Sequence, residues 1–191
     1  MATVNISALL VVLLAACAAQ TQTVRVVSVN LASAATPKSV QFFCTDDYER
    51  KACLKDVIHL QTALAPFPLE QLGEWHFLIV PSDRWKTLVG SMGGNPASPA
   101  FTVLERRTIV FEQTLFSPRV PRQVELLLMF NLAGEALLRL AVSHELGHAL
   151  CGETNEGRAD RYGKELRAGR VPSCRLQKPN RRTGETIGLL P

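Results

Sequence analysis

Charge is scarce in this sequence. Asp, Glu, Lys and Arg make up only 20% of the 191 residues, and 21 basic against 17 acidic side chains leave a net charge of +4. That falls well short of the one-sided clustering that marks nucleic-acid binders, so nucleic acid is not an expected partner. No internal hydrophobic run approaches the roughly 20 residues a spanning helix needs, which confines any membrane question to the N terminus. No cysteine pair has the C-x-x-C spacing of a metal or redox site. Internal repeats and long low-complexity tracts are also absent. What is present is a hydrophobic fraction of 47%, enough for a true core and too much for a disordered chain. The length suits one folded domain with something added.

The first nineteen residues carry no charged side chain, and Ile6 to Ala16 is an apolar run of signal-peptide length. Leu14-Ala15-Ala16-Cys17 resembles the lipobox of bacterial lipoproteins, in which the signal is cut before a cysteine that then carries a diacylglycerol. On that resemblance Cys17 is the mature N terminus and the lipidation site. The chain is then exported to the bacterial periplasm or cell envelope and meets the membrane through its anchor. The segment before Ile6 departs from the pattern in having no Lys or Arg. Ordinary cleavage after Ala18 or Ala19 is the alternative and gives a secreted protein. The expected layout is a signal peptide over 1–19, a linker or first strand over 20–36, a folded domain over 37–174 and a basic tail over 175–191. That tail, including Arg175 to Arg182, reads most simply as solvated.

Setting Cys17 aside leaves Cys44, Cys53, Cys151 and Cys174, an even number consistent with an oxidising compartment. Of the three connectivities, Cys44–Cys53 with Cys151–Cys174 is favoured because each pair brackets one compact segment.

Val-rich Thr23 to Leu31 and apolar Ser39 to Cys44 read as strands. Asp46-Asp47 is expected to cap a helix running to about Ala65, with Leu54, Val57, Ile58 and Leu64 on one face. Trp75 to Val80 reads as a buried strand, and Ser82 or Asp83 as the cap of a short helix stopped by Gly93-Gly94. Trp75 and Trp85 are assigned to the core. Ala100 to Leu104 and Thr108 to Phe111 flank Glu105-Arg106-Arg107 as a hairpin. Helices follow at about Val124 to Phe130, Gly134 to Cys151 and Glu156 to Ala168. In the last of these, Arg161, Lys164 and Arg167 read as the wet face. Strands and one helix first, then helices, argue an α+β fold.

The chemistry lies in Leu137-Leu-Arg-Leu-Ala-Val-Ser-His-Glu-Leu-Gly-His148. This helix is apolar nearly all round, so it belongs in the centre of the fold. His144 and His148 are one turn apart and project the same way, taking two corners of a tetrahedral metal site, while Glu145 is rotated toward the open side. H-E-x-x-H on a helix reads as zinc with a glutamate general base. Glu156 and Asp160, again one turn apart, offer a third ligand and an acceptor for a ligand imidazole N–H. Gly152 suits the end of the first helix, and Thr154 or Asn155 the cap of the second.

These residues resemble the gluzincin metallopeptidases, in which HExxH is followed by a glutamate ligand with an aspartate four residues on. Asn155-Glu156-Gly157-Arg158-Ala159-Asp160 is similar to their N-E-x-x-[SA]-D signature. The resemblance covers about Leu137 to Leu166. It implies a minimal zincin-like domain and one Zn²⁺ per chain on His144, His148 and Glu156. It also implies Glu145 as the catalytic glutamate, Asp160 in support of an imidazole, and a peptide or protein substrate. The His148-to-Glu156 interval is shorter than in thermolysin-like enzymes, which requires a tight reversal. An aspartate ligand at Asp160, as in aspzincins, is the weaker alternative because Asp160-Arg161-Tyr162-Gly163 is one residue off their D-x-x-Y-G. Ser98 to Thr102 looks loosely like the edge strand on which zincins lay substrate. No oxyanion donor announces itself. Tyr162 points off the ligand face, and His59 and His76 read as ordinary surface or capping histidines. The competing class is a non-catalytic zinc-containing lipoprotein that acts as a binding or assembly module.

Overall fold

The computed structural model describes residues 26–29 and 40–176. The leader with Cys17, most of the 20–36 linker and the tail beyond 176 lie outside the described residues.

Strand β3 (Trp75–Val80) is buried on both faces, as its unbroken apolar run requires of an interior strand. It pairs in parallel with β2 (Val40–Thr45) on one side and with β5 (Thr108–Glu112) on the other. Antiparallel edges close the sheet, β1 (Val26–Val29) beside β2 and β4 (Ala100–Val103) beside β5, giving the order β1-β2-β3-β5-β4. The parallel centre demands crossovers, supplied by α1 (Arg50–Leu64) and α2 (Ser82–Ser91). The fold is therefore mixed α/β, with three further helices, α3 (Val120–Phe130), α4 (Gly134–Cys151) and α5 (Glu156–Arg167), and a final turn α6 (Ser173–Leu176).

Alternation along β3 sends Phe77 and Ile79 into the main core with α1 and α4, and Leu78 and Val80 into a smaller cluster with Trp85, Leu88 and Val89 of α2. Each fully buried side chain of this size contributes about 2 kcal/mol of transfer free energy. Trp75 and Trp85 are both core residues. β4 and β5 form the expected hairpin, turned by a short 3₁₀ segment and by Arg107 at φ 47°.

Three local expectations are corrected. Glu49, not Asp46 or Asp47, caps α1, its carboxylate accepting from the Lys51 and Ala52 amides at 2.9 and 2.7 Å. Leu54 and Ile58 are exposed, and the buried face of α1 is Cys53, Asp56, Val57, Leu60, Ala63 and Leu64. Asp56 is tolerated there because Tyr48 and Ser117 both donate to it. Ser82 does not cap α2. It is that helix's first residue, with its hydroxyl on Thr114 Oγ1 at 2.6 Å, while Pro81 occupies the cap position.

Both favoured disulfides are present. Cys44–Cys53 joins β2 to α1 across 6.2 Å between Cα atoms, and Cys151–Cys174 joins the last residue of α4 to α6 across 5.8 Å. The second holds the chain just past the histidine-bearing turn. Helix α3 buries only Leu126 and leaves Val120, Val124, Leu127 and Leu128 exposed. It is tied down through Arg122, which pairs with buried Glu112 at 2.9 Å and donates to the Pro96 and Ala97 carbonyls. Burial pushes the Glu112 carboxyl above its ordinary range even though Arg122 pulls the other way.

Candidate metal centre

Helix α4 is central as its composition demands, with Leu138, Val142 and Leu146 fully buried. Gly152 at φ 60° ends it, and the amides of Gly152 and Glu153 both return to the His148 carbonyl. The chain then reverses within three residues into α5. Asn155 caps α5 by accepting from the Arg158 amide at 3.0 Å.

What lets α5 lie so close is a pair of helix-interior glycines. A Cβ on Gly147 would stand 2.6 Å from the Ala159 carbonyl oxygen, and one on Gly163 would stand 2.9 Å from the Ser143 carbonyl oxygen. The two backbones touch where any larger residue would hold them apart. The first turn of α5 thereby delivers Glu156 to the histidine pair.

His144 Nε2, His148 Nε2 and Glu156 Oε2 converge, separated by 3.1, 3.0 and 3.5 Å. Their outer partners assign the tautomers. His148 Nδ1 lies 2.6 Å from the Glu153 carbonyl oxygen, which can only accept, so that nitrogen carries the proton. His144 Nδ1 lies 2.7 Å from Asp160 Oδ1 and donates to the carboxylate in the same way. In the neutral form that binds metal, each ring turns an Nε2 lone pair inward, toward a carboxylate oxygen that also only accepts. Three acceptors facing one another repel unless a cation sits among them. For a tetrahedral ion with bonds of about 2.0–2.1 Å, the ligand atoms stand roughly 3.3–3.4 Å apart. The observed triangle brackets that value, so the three residues form a group able to hold a metal ion.

Glu145 is buried in the adjoining wall of the same cleft. Thr102, on edge strand β4, donates its hydroxyl to Glu145 Oε2 at 2.7 Å. Burial raises the Glu145 carboxyl above its ordinary value, and neighbouring His144 and the Thr102 hydrogen bond oppose the shift. The cleft, about 770 Å³, runs along β4 and across α4 to Glu156 and Asp160. No family model, curated protein or solved structure matches the chain. The site stands on its own geometry.

The structure thus brings together His144, Glu145, His148, Glu156 and Asp160. Tyr162 is buried on the other side of α5, and His59 and His76 lie elsewhere, against Glu135 and Phe43. Among the described residues that line the cleft there is no tyrosine and no third histidine. Four contributors have roles at the site that the sequence reading does not assign. Thr102 positions Glu145. Glu153 orients His148 through its carbonyl, and its side chain pairs with Arg158, which holds that carboxyl down at about 2. Gly147 and Gly163 could have been noticed, because glycine inside a helix costs about 1 kcal/mol relative to alanine and needs a packing reason.

Proposed function

We propose that this protein is an exported, zinc-dependent peptidase of minimal zincin-like architecture, anchored by lipid if Cys17 is processed as a lipobox cysteine. The observation that carries the reading is the convergence of His144 Nε2, His148 Nε2 and Glu156 Oε2 beside a buried carboxyl at Glu145. Two imidazoles and one carboxylate with an open position suit catalytic zinc, whereas structural zinc takes four protein ligands. The two disulfides fit export into an oxidising compartment.

When bound, zinc supplies Lewis acidity, polarising a carbonyl and acidifying water toward a pKa of about 7. His144 and His148 provide neutral Nε2 donors, kept in that tautomer by Asp160 and the Glu153 carbonyl. Glu145 Oε2 is held by Thr102, which leaves Oε1 to take the proton of the attacking water and return it to the leaving amine. The free edge of β4 offers main-chain groups for an extended substrate beside these residues. Both imidazoles must be neutral to bind metal, so activity falls in acid.

A second reading, a zinc-holding binding or assembly module without turnover, is favoured by one observation. No tyrosine or third histidine lines the cleft among the described residues to meet a developing oxyanion. Glu145→Gln separates the two. In the peptidase it keeps zinc and loses about 10²-fold or more of peptide cleavage. A wild type that holds zinc yet cleaves nothing in a broad peptide library belongs to the second class.

A further inference from the structure

A second cavity, of about 550 Å³, adjoins the metal cleft. Its walls are Leu132, Glu135, Ala136, Arg139, Leu140 and Arg167, and Leu140 also lines the cleft. Arg167 was expected on the wet face of α5. Instead it is half-buried, with Nη1 donating to the Ser143 hydroxyl, next in sequence to the ligand His144. Among the described residues Arg139 donates only to the Arg167 carbonyl, at 3.4 Å.

Two guanidinium groups thus share one cavity, and among the described residues neither pairs with a carboxylate. Glu135 is engaged by His59 at 2.9 Å and Asp160 by His144 at 2.7 Å. Burial lowers the Arg167 pKa, Asp160 raises it, and the neighbouring charge of Arg139 lowers it again. Two like charges turned toward one concave, partly apolar site, one of them half-buried, favour an anion that joins them. Guanidinium favours carboxylate, which it can grip with parallel N–H donors.

We propose that Arg139 and Arg167 form a carboxylate-binding subsite beside the metal centre, one that selects peptide substrates carrying a carboxylate near the scissile bond. The substrate role rests on the peptidase reading; the anion site does not. Arg167 lies seven residues, two turns, beyond Asp160 on α5, about 10 Å along the helix. An extended peptide covers that distance in about three residues. The carboxylate therefore belongs a few residues from the carbonyl at the metal, since Asp160 reaches the ligand group through His144. It is either the substrate's own C terminus or an Asp or Glu side chain.

The test uses the full chain with disulfides intact and N-acetylated peptides that differ at one point. One arm compares free C-terminal acid with C-terminal amide. The other compares Glu with Gln at each position on both sides of the cleaved bond. The expected result is a preference of about tenfold in kcat/KM for the charged member at one position, carried in KM. Arg139→Gln and Arg167→Gln should each bring that ratio toward one. Arg139 is exposed and, among the described residues, is not hydrogen-bonded to Ser143, so its variant guards against a packing explanation. Preference in the first arm identifies a terminal carboxylate, and preference in the second a side chain. Cleavage with no charge preference, or a preference that survives both substitutions, overturns the subsite and leaves the peptidase standing. If nothing is cleaved, fluorescence anisotropy with the same labelled peptides decides. Acid-selective binding lost in the Arg variants keeps the anion site without the peptidase, and equal binding of acid and amide overturns the site as well.

Discussion

Gly147→Ala should weaken metal binding while leaving the chain folded. The added methyl would meet the Ala159 carbonyl oxygen at 2.6 Å, about 0.8 Å inside the 3.4 Å at which ordinary contact begins. Neither partner is a flexible side chain, so α4 and α5 must move apart by much of that distance. Metal sites tolerate bond-length errors of only about 0.2 Å, and Glu156 is the ligand that travels with α5. Its oxygen already lies 3.5 Å from His148 Nε2, the longest edge of the triangle. A loss of at least about tenfold in zinc affinity follows. The folding cost is smaller. Overpacking costs about 1–3 kcal/mol, and replacing a helical glycine by alanine returns about 1, against a typical domain stability of about 5–15 kcal/mol. Gly157→Ala is the control, because its Cβ would meet only Asn155 Oδ1, at an ordinary 3.5 Å. The assay is competition for zinc with a chromophoric chelator, paired with denaturant unfolding in excess chelator. Equal affinities for Gly147→Ala, Gly157→Ala and wild type would refute the claim that backbone contact between α4 and α5 places the third ligand.

Three further outcomes are expected. Asp160→Asn keeps an acceptor oxygen but loses the charge that fixes the His144 ring, and should lower zinc affinity by about 10- to 100-fold in the same competition assay. Arg122→Met strands the carboxylate of Glu112, which is 1% exposed, and frees the Pro96 and Ala97 carbonyls; denaturant unfolding should show a loss of about 3 kcal/mol, and a loss under 1 would contradict the buried-pair reading. The Lys51 and Ala52 amides hold the Glu49 carboxyl below its ordinary value, so its contribution is present above that ordinary value and disappears as pH falls through the depressed folded-state value. The gap in stability between wild type and Glu49→Gln should narrow on acidification, and a constant gap from pH 7 to 3 would show that the cap carries no charge-dependent part.

How much of this was legible in the sequence depends on the range of each contact. His144 with His148, and Glu156 with Asp160, are one-turn spacings, so helix geometry alone places each pair. The all-round apolar character of α4 announced its central position, and the Glu105-Arg106-Arg107 turn announced the β4–β5 hairpin. The disulfide pairing followed from compactness. What failed depended on partners far along the chain. Leu54 and Ile58 share a helical stripe with Val57, but the sheet and α4 meet α1 on the Val57, Leu60 and Leu64 side. Thr102 acquires its role only because β4 forms the sheet edge beside α4, 43 residues from Glu145. Arg167 has the spacing of a solvated residue and is drawn inward by Ser143 and the cavity at the end of α4. Asp46 and Asp47 were plausible caps. The helix begins at Arg50, which puts Glu49 within reach of the free amides.

The most direct measurement is the metal content of the purified, disulfide-intact chain after equilibration with zinc and dialysis. Wild type and Glu145→Gln should each retain about one zinc per folded chain, and Glu156→Ala should lose it. A folded wild type that retains no zinc would contradict the metal centre, and the peptidase proposal would fall with it.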